Sequence, residues 1–320
     1  PGTCVEMARL QVRQITDPGC PFAYSGEALV TALRWRFGDQ LYWRIVTIGL
    51  AEDPAEYEER GYTAAWMTRN WLSFKRWGGM PFTKAPRRRV VATGRACRAV
   101  VAARLESGEL AREVLRALHF AWFTTRLMLD RDDALAAALA QVPDLDPEDL
   151  IDRLDDSDVE EAYLRDRAEA RSAVDTPASV QGKTAPTDDG RERFTAQTLV
   201  FEAEDGEQAI AGGRQSLDAY DLLLANFAPY LERRGPAEDA REAIDAFPHG
   251  LTTREVALLR AAPGADPDDD AAAAELIELA GAGELDCRPL GDDVLWLPPE
   301  NVPFRRLRAN LLTAQQPEGR

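Results

Sequence analysis

The chain has 320 residues, 45% of them hydrophobic and 29% charged, with a formal net charge of −17, enough to bury a sizeable core in two or three domains or subdomains. The acidic balance argues against a nucleic-acid or anionic-membrane surface, because such binding rests on lysines and arginines that neutralise phosphates. No stretch approaches the apolar length of a membrane span, no signal-like segment opens the chain, and four cysteines at 4, 20, 97 and 287 form neither a metal-ligand spacing nor a disulfide framework, a pattern that suits a reducing cytoplasm.

The first element is a strand carrying Leu10, Val12 and Ile15, broken by Asp17, Pro18 and Gly19. Cys20 follows, and Pro21 then suits the first position of a helix whose Ala28, Leu29, Ala32 and Leu33 recur at helical spacing. Cys20 is therefore expected at or beside the helix N-cap. Free amides and the positive end of the helix dipole there favour a thiolate and lower a cysteine's pKa from about 8.5. The alternative is a cysteine that acts as a small buried hydrophobe.

A second strand is expected over Leu41 to Leu50. Residues 51–80 are then rich in aromatics: Tyr57, Tyr62, Trp66, Trp71, Phe74 and Trp77. Pairs three or four apart share helix faces, and they serve either as packing against the sheet or as an aromatic wall over the thiol. The turn Gly78-Gly79-Met80-Pro81-Phe82 follows, then Arg87-Arg88-Arg89, read as a solvated or ion-paired run, or as a clamp for an anionic substrate. From Thr93 to about Arg171 the pattern is helical, with breaks near 106–109, 130–133 and 142–147. Cys97 lies on its first helix, flanked by Arg95 and Arg98, and is read as a buried helix residue; His119, among Leu118, Phe120 and Trp122, reads as a core histidine.

Residues 172–192 read as an exposed loop, and 194–201 as one continuous strand. Gly206 turns the chain into Gln208–Ala211, ahead of an amphipathic helix from about Ser216 to Glu232.

The order strand, Cys20-Pro21-Phe22-Ala23, helix, strand, long helical insertion, two strands and a helix resembles the DsbA-like branch of the thioredoxin superfamily. That branch includes 2-hydroxychromene-2-carboxylate isomerases and kappa-class glutathione transferases. The resemblance spans about residues 8–232 and implies an α/β, thioredoxin-like fold with a large helical insertion. It implies Cys20 as the catalytic thiol, with Pro21, Phe22, Ala23, Tyr24, Met80, Pro81, Thr195, Ala196 and Gln197 around substrate or cofactor. It also permits a pairing of Cys20 with Cys97 as a resolving thiol. Two positions depart from the pattern. Ala23 stands where C-x-x-C has its second cysteine, so exchange must pass through a mixed disulfide, a sulfenic acid or a distant thiol. Gln197 stands where relatives carry a cis-proline, and because a cis bond before a non-proline costs about 2.5–4 kcal/mol, a trans bond is expected.

The resemblance divides the chain into residues 1–50 and 186–235 as two halves of the thioredoxin-like domain, with 51–185 inserted between them. Residues 236–300 read as a separate unit of three helices and a β-hairpin that resembles a winged helix, and 301–320 as a tail. The unit holds 16 Asp/Glu against 4 Lys/Arg, a net charge of −12, which opposes phosphate contact. Intramolecular packing or homodimer formation is the expected role, with Cys287 structural. The expected activity is thiol–disulfide exchange, or small-thiol-dependent transfer or isomerisation, through Cys20 alone. Partners are then a small thiol or a protein disulfide, with glutathione or another low-molecular-weight thiol as a loosely held cofactor and no metal. The competing reading is a scaffold that has lost redox chemistry and binds a partner or ligand.

Overall fold

The computed structural model describes residues 9–187 and 190–299. Cys4 and the tail from 301 lie outside the described residues. Strand β1 (Leu10–Thr16) leads through a tight turn into α1 (Pro21–Phe37) and then β2 (Leu41–Thr47). The inserted helices are α2 (Pro54–Glu59), α3 (Ala64–Gly78), α4 (Gly94–Glu106), α5 (Gly108–Thr124), α6 (Asp132–Leu139), α7 (Pro147–Asp152), α8 (Ser157–Ala170) and α9 (Pro177–Val180). A small hairpin of β3 (Thr184–Pro186) and β4 (Glu192–Phe194) precedes β5 (Thr198–Glu202), β6 (Gln208–Ala211) and α10 (Leu217–Phe227).

The central sheet has the order β2-β1-β5-β6. β1 and β2 run parallel, with Leu10 opposite Leu41 and Thr16 opposite Thr47, while β5 is antiparallel to β1 and β6 to β5. Parallel β1 and β2 require a crossover, which α1 supplies. A β–α–β half and a β–β–α half thus share one sheet, with the helical insertion between them, as the resemblance implies.

The alternation of β1 fails at its end, where Gln14, Ile15 and Thr16 are all buried, because a strand inside a sheet covered by helices has no solvent face. α1 is likewise buried almost all round, touching α3, α5, α10 and the C-terminal helix α12 (Thr253–Arg260), which follows α11 (Ala240–Asp245) and β7 (Leu251–Thr252). Its polar residues therefore need partners: Gln14 donates to Glu27 at 2.9 Å, Thr31 donates to Glu255 at 2.7 Å, and Arg36 pairs with Asp221.

The remaining elements are α13 (Asp269–Gly281), β8 (Asp286–Leu290) and β9 (Asp293–Leu297), with β7, β9 and β8 forming a second antiparallel sheet. Thr252 and Glu255 form the expected capping box at the start of α12. Glu255 does more than cap: it is fully buried and takes the Arg116 guanidinium of α5 through both carboxylate oxygens, at 2.7 and 2.8 Å.

Several local expectations are corrected. Residues 172–192 are not one loop, since they contain α9, β3 and the start of β4. The strand expected over 194–201 is split into β4 and β5, because residues 195–197 turn between two different sheets. The helix after Ser216 ends at Phe227 rather than near Glu232, where Pro229 drives the preceding Ala228 out of helical geometry. Cys287 is exposed and free on β8 rather than structural. Among the described residues no helix is long and apolar enough to cross a membrane.

Candidate thiol site

Cys20 is the N-cap of α1, with Pro21 at the first helical position. The turn that places it is built on Asp17. Its carboxylate accepts Gly19 N at 2.9 Å, Leu50 N at 3.0 Å and Thr93 Oγ1 at 3.1 Å, and its carbonyl accepts Cys20 N at 3.1 Å. His119 Nε2 lies 3.3 Å from the same carbonyl. Asp17 thus ties the ends of β1 and β2 and the start of α4 to the cysteine. Sequence reading took it only as a strand breaker, although Asp two residues before a glycine is the signature of a side-chain-closed turn. Gly19 is required as well: a Cβ there would meet side-chain atoms of Thr93 at 2.5 Å and Trp122 at 2.9 Å.

The expected low-pKa thiolate is not what this position supports at rest. Cys20 is only 7% exposed, and burial pushes its thiol up to about 11 despite help from the Ala23 and Phe22 amides. Asp17 adds repulsion, while Arg193 favours the anion. The helix start supplies the expected amides, but loss of water outweighs them. Cys97 is fully buried and free, its sulfur 3.5 Å from Asp17 Oδ2, and burial and Asp17 push its thiol well above the ordinary range. Cys97 is thus the buried helix residue expected, and its sequence neighbours Arg95 and Arg98 pair instead with Asp132 and Asp155, and with Glu52 and Glu160.

On the other side of α1 the Ala196–Gln197 peptide is cis, correcting the trans expectation. The cost argument considered the bond alone, whereas Ala196 and Gln197 are both buried here, with the Gln197 side chain seated against the bare backbone of Gly26. Among the described residues neither polar atom of the Gln197 amide, nor Ser25 Oγ, has a hydrogen-bond partner. Thr195 faces away, its hydroxyl donating to Lys183 O at 2.9 Å.

A cavity of about 510 Å³ opens beside the cysteine, lined by its neighbours Gly19, Pro21 and Phe22. The aromatic insertion forms its wall through Tyr57, Tyr62, Trp66, Trp71 and Phe74, with Trp122 from α5. Tyr62 and Trp66 stack at 4.8 Å, and Phe22 meets Phe74 edge-on at 4.6 Å. Four arginines line it (Arg60, Arg87, Arg89 and Arg193), and the described lining contains no Asp or Glu. Arg87 is not the solvated residue its run suggested. It is buried, donates to the carbonyls of Leu127 and Trp122, and lies 5.3 Å from the Trp71 ring. Arg89 pairs with Asp130 at 2.5 Å, as the ion-pair alternative has it. Arg193 spends one nitrogen on Phe194 O at 3.0 Å.

The structure therefore brings together Cys20, Pro21, Phe22 and the aromatic stretch, and adds Arg193, which sequence reading missed. Ala23 and Tyr24 point into the core, where the Tyr24 hydroxyl donates to Pro81 O at 2.7 Å. Met80 and Pro81 do not line the cavity; Met80 is fully buried and its sulfur accepts from Thr252 Oγ1 at 3.6 Å. Among the described residues no group of three or more His, Cys, Asp and Glu is placed to share a metal ion.

No protein-family model matches this chain, and no curated protein matches it. Solved structures do. One described as a candidate protein disulfide isomerase from Nitrosomonas europaea is 16% identical, with a TM-score of 0.52 over 69% of this chain and 98% of that one. The cytosolic disulfide reductase DsbM from Pseudomonas aeruginosa is 16% identical over the same shares, with a TM-score of 0.47, and has also been solved with glutathione. A 2-hydroxychromene-2-carboxylate isomerase is 13% identical over 69% of this chain and 95% of its own, with a TM-score of 0.42. The first of these, with the sheet order β2-β1-β5-β6, shows that the chain has a thioredoxin-like fold.

Proposed function

We propose that the chain is a thiol enzyme of the thioredoxin fold that works with Cys20 alone, on a small anionic substrate with an aromatic or apolar body. The observation that carries this is the position of the N-cap cysteine beside a cavity of aromatic rings and arginines, whose described lining holds no carboxylate, in a protein whose net charge is −17. Rings accept the apolar body, and guanidinium groups accept the anion.

In exchange, the Cys20 thiol gives its proton to solvent and the thiolate attacks one sulfur of a disulfide. A mixed disulfide forms and one thiolate leaves. With Ala23 in place of a second cysteine, an external low-molecular-weight thiol then attacks the mixed disulfide, releases the second product as a disulfide and restores Cys20. One such cycle exchanges one half of the substrate disulfide for the external thiol; a second external thiol that attacks the released mixed disulfide completes the two-electron reduction and leaves as the disulfide of the external thiol. The raised pKa makes this thiol a slow nucleophile at neutral pH, so Arg193, together with the anion site, governs how much thiolate forms.

Further parts of the proposal are a reducing cytoplasmic location, a small thiol such as glutathione as co-substrate, and a winged-helix-like C-terminal unit that serves packing rather than nucleic acid. The competing scaffold reading draws on the burial of Cys20 and Cys97. Incubation of native protein with glutathione disulfide, followed by peptide mass mapping, separates the two. Modification at Cys20, absent in Cys20→Ser, supports the enzyme. Modification of exposed Cys287 while Cys20 stays untouched until unfolding overturns it.

A further inference from the structure

A second cavity of about 540 Å³ lies where the end of α1, the start of β2, the first turn of α5 and the turn at 246–249 meet. Arg34 and Trp43 line it, and each carries a donor that finds no acceptor among the described residues. Arg34 lies 4.7 Å over the Trp43 ring, and Arg34 Nε and Trp43 Nε1 are both buried with no hydrogen-bond partner among the described residues. Guanidinium and indole N–H groups donate only, so a second donor or an apolar group would satisfy neither.

The charges around them do not supply the acceptor. Arg112 engages Glu109 at 2.5 and 2.9 Å, and His249 engages Glu113 at 2.8 Å. Arg9 and Asp39 complete the charged lining. Arg34 itself makes no ion pair among the described residues. Burial, with the neighbouring Arg112 charge, pulls its pKa down to about 10, against the smaller opposing pull of Glu109 and Glu27. The 17-residue helix α5 also directs its positive end here, through Gly108 and Glu109.

We propose that this cavity is a binding site for a small oxyanion, a phosphate or carboxylate group, held by the Arg34 guanidinium and the Trp43 indole N–H. The site is distinct from the cavity at Cys20 and does not depend on the thiol chemistry. Because α1, β2, α5 and the C-terminal turn all contribute to it, an occupant holds the C-terminal unit against the sheet.

The test is isothermal titration of the full chain with inorganic phosphate, pyrophosphate and citrate, in chloride buffer at constant ionic strength. Saturable one-site binding is expected, weakened about tenfold or more in Arg34→Met, as loss of a charge-assisted hydrogen bond requires. Trp43→Phe, which keeps the ring and removes only the donor, should weaken binding several-fold, and it decides the matter if Arg34→Met fails to fold. Preference for phosphate or pyrophosphate over citrate identifies the group as a phosphate, and the reverse as a carboxylate. Absence of saturable binding for all three probes overturns the proposal. So does binding that survives Arg34→Met and Trp43→Phe unchanged, or binding that is lost instead in Arg193→Met, which would place the anion in the other cavity.

Discussion

Replacing Glu27 by Gln should stabilise the protein at alkaline pH and not at acidic pH. Glu27 is 9% exposed on the core side of α1, accepts Gln14 Nε2 at 2.9 Å, and lies 3.8 Å from His119 Nδ1. Burial pushes its carboxyl from 4.5 up to about 7, with Arg116 opposing and Glu255 adding to the rise. Burial drives His119 from 6.5 down to about 3. Near neutral pH the histidine is uncharged and the carboxyl is half protonated, so the contact is not an ion pair. The folded state binds the Glu27 proton more tightly than the unfolded state, so this contribution is fully present below 4.5 and is lost as pH rises through 7. A shift of about 2.5 units is worth about 3.4 kcal/mol, of which about 2.5 kcal/mol falls between pH 5 and pH 8. His119 works oppositely: its contribution is present above 6.5 and is lost as pH falls toward 3. Between about 4.5 and 6.5 the two slopes cancel in the wild type. Glu27→Gln removes one of them and exposes a His119 slope of about 1.4 kcal/mol per pH unit. Urea unfolding at pH 5, 6.5 and 8 measures this directly. The stability difference between variant and wild type should rise by about 2.5 kcal/mol from pH 5 to pH 8, and a difference that does not change with pH refutes the reasoning.

Three further outcomes follow from named contacts. Alkylation of Cys20 should accelerate with pH well beyond neutrality, and Arg193→Met should move the midpoint higher still, since Arg193 favours the thiolate; a midpoint below 7, or one indifferent to Arg193, contradicts the site as drawn. Arg116→Met leaves the fully buried Glu255 without its counter-charge and should cost about 3–5 kcal/mol in urea unfolding, whereas a loss below about 1 kcal/mol would mean water reaches the pair. Gly26→Ala places a Cβ where the Gln197 carboxamide sits, so thermal unfolding should show a loss of about 1–3 kcal/mol, and an unchanged midpoint would show that the glutamine has room to move.

The parts of the fold that were legible in sequence are those decided locally. Pro21 after a turn, the periodic residues of α1, and the Thr252–Glu255 capping box each specify an element within a few residues of themselves. The cysteine's place at a helix start belongs to the same class. Its protonation does not, because that depends on how completely the insertion and the β3–β4 hairpin shut out water. The conformation at Gln197 and the split between β4 and β5 are likewise set by partners distant in sequence, among them Gly26 across α1. Arg193 was invisible for the same reason: nothing in its neighbourhood along the chain places it beside Cys20. The aromatic stretch could be read as packing or as a wall, and it is both. Trp71 is buried in the core while Trp66 remains 42% exposed at the cavity.

The C-terminal unit bears on that wall. Its β8–β9 turn inserts Gly291 and Asp292 beneath the loop that ends α3. Asp292 accepts Phe82 N at 3.0 Å through one oxygen and pairs with Lys75 of α3 at 2.7 Å through the other. Gly291 has φ +63, and a Cβ there would come within 3.1 Å of the Phe82 backbone and of Thr124, so this approach admits glycine and little else. Phe82 packs edge-on against Tyr24 at 5.2 Å and against Phe123 at 5.5 Å. Phe123 in turn meets Trp71 of the cavity wall at 5.2 Å. One continuous set of contacts therefore runs from the β8–β9 turn, through Phe82 and Phe123, to the rings that line the thiol cavity. The acidic unit thus has a physical task here, which is to hold α3 at the angle that makes its aromatic face a wall.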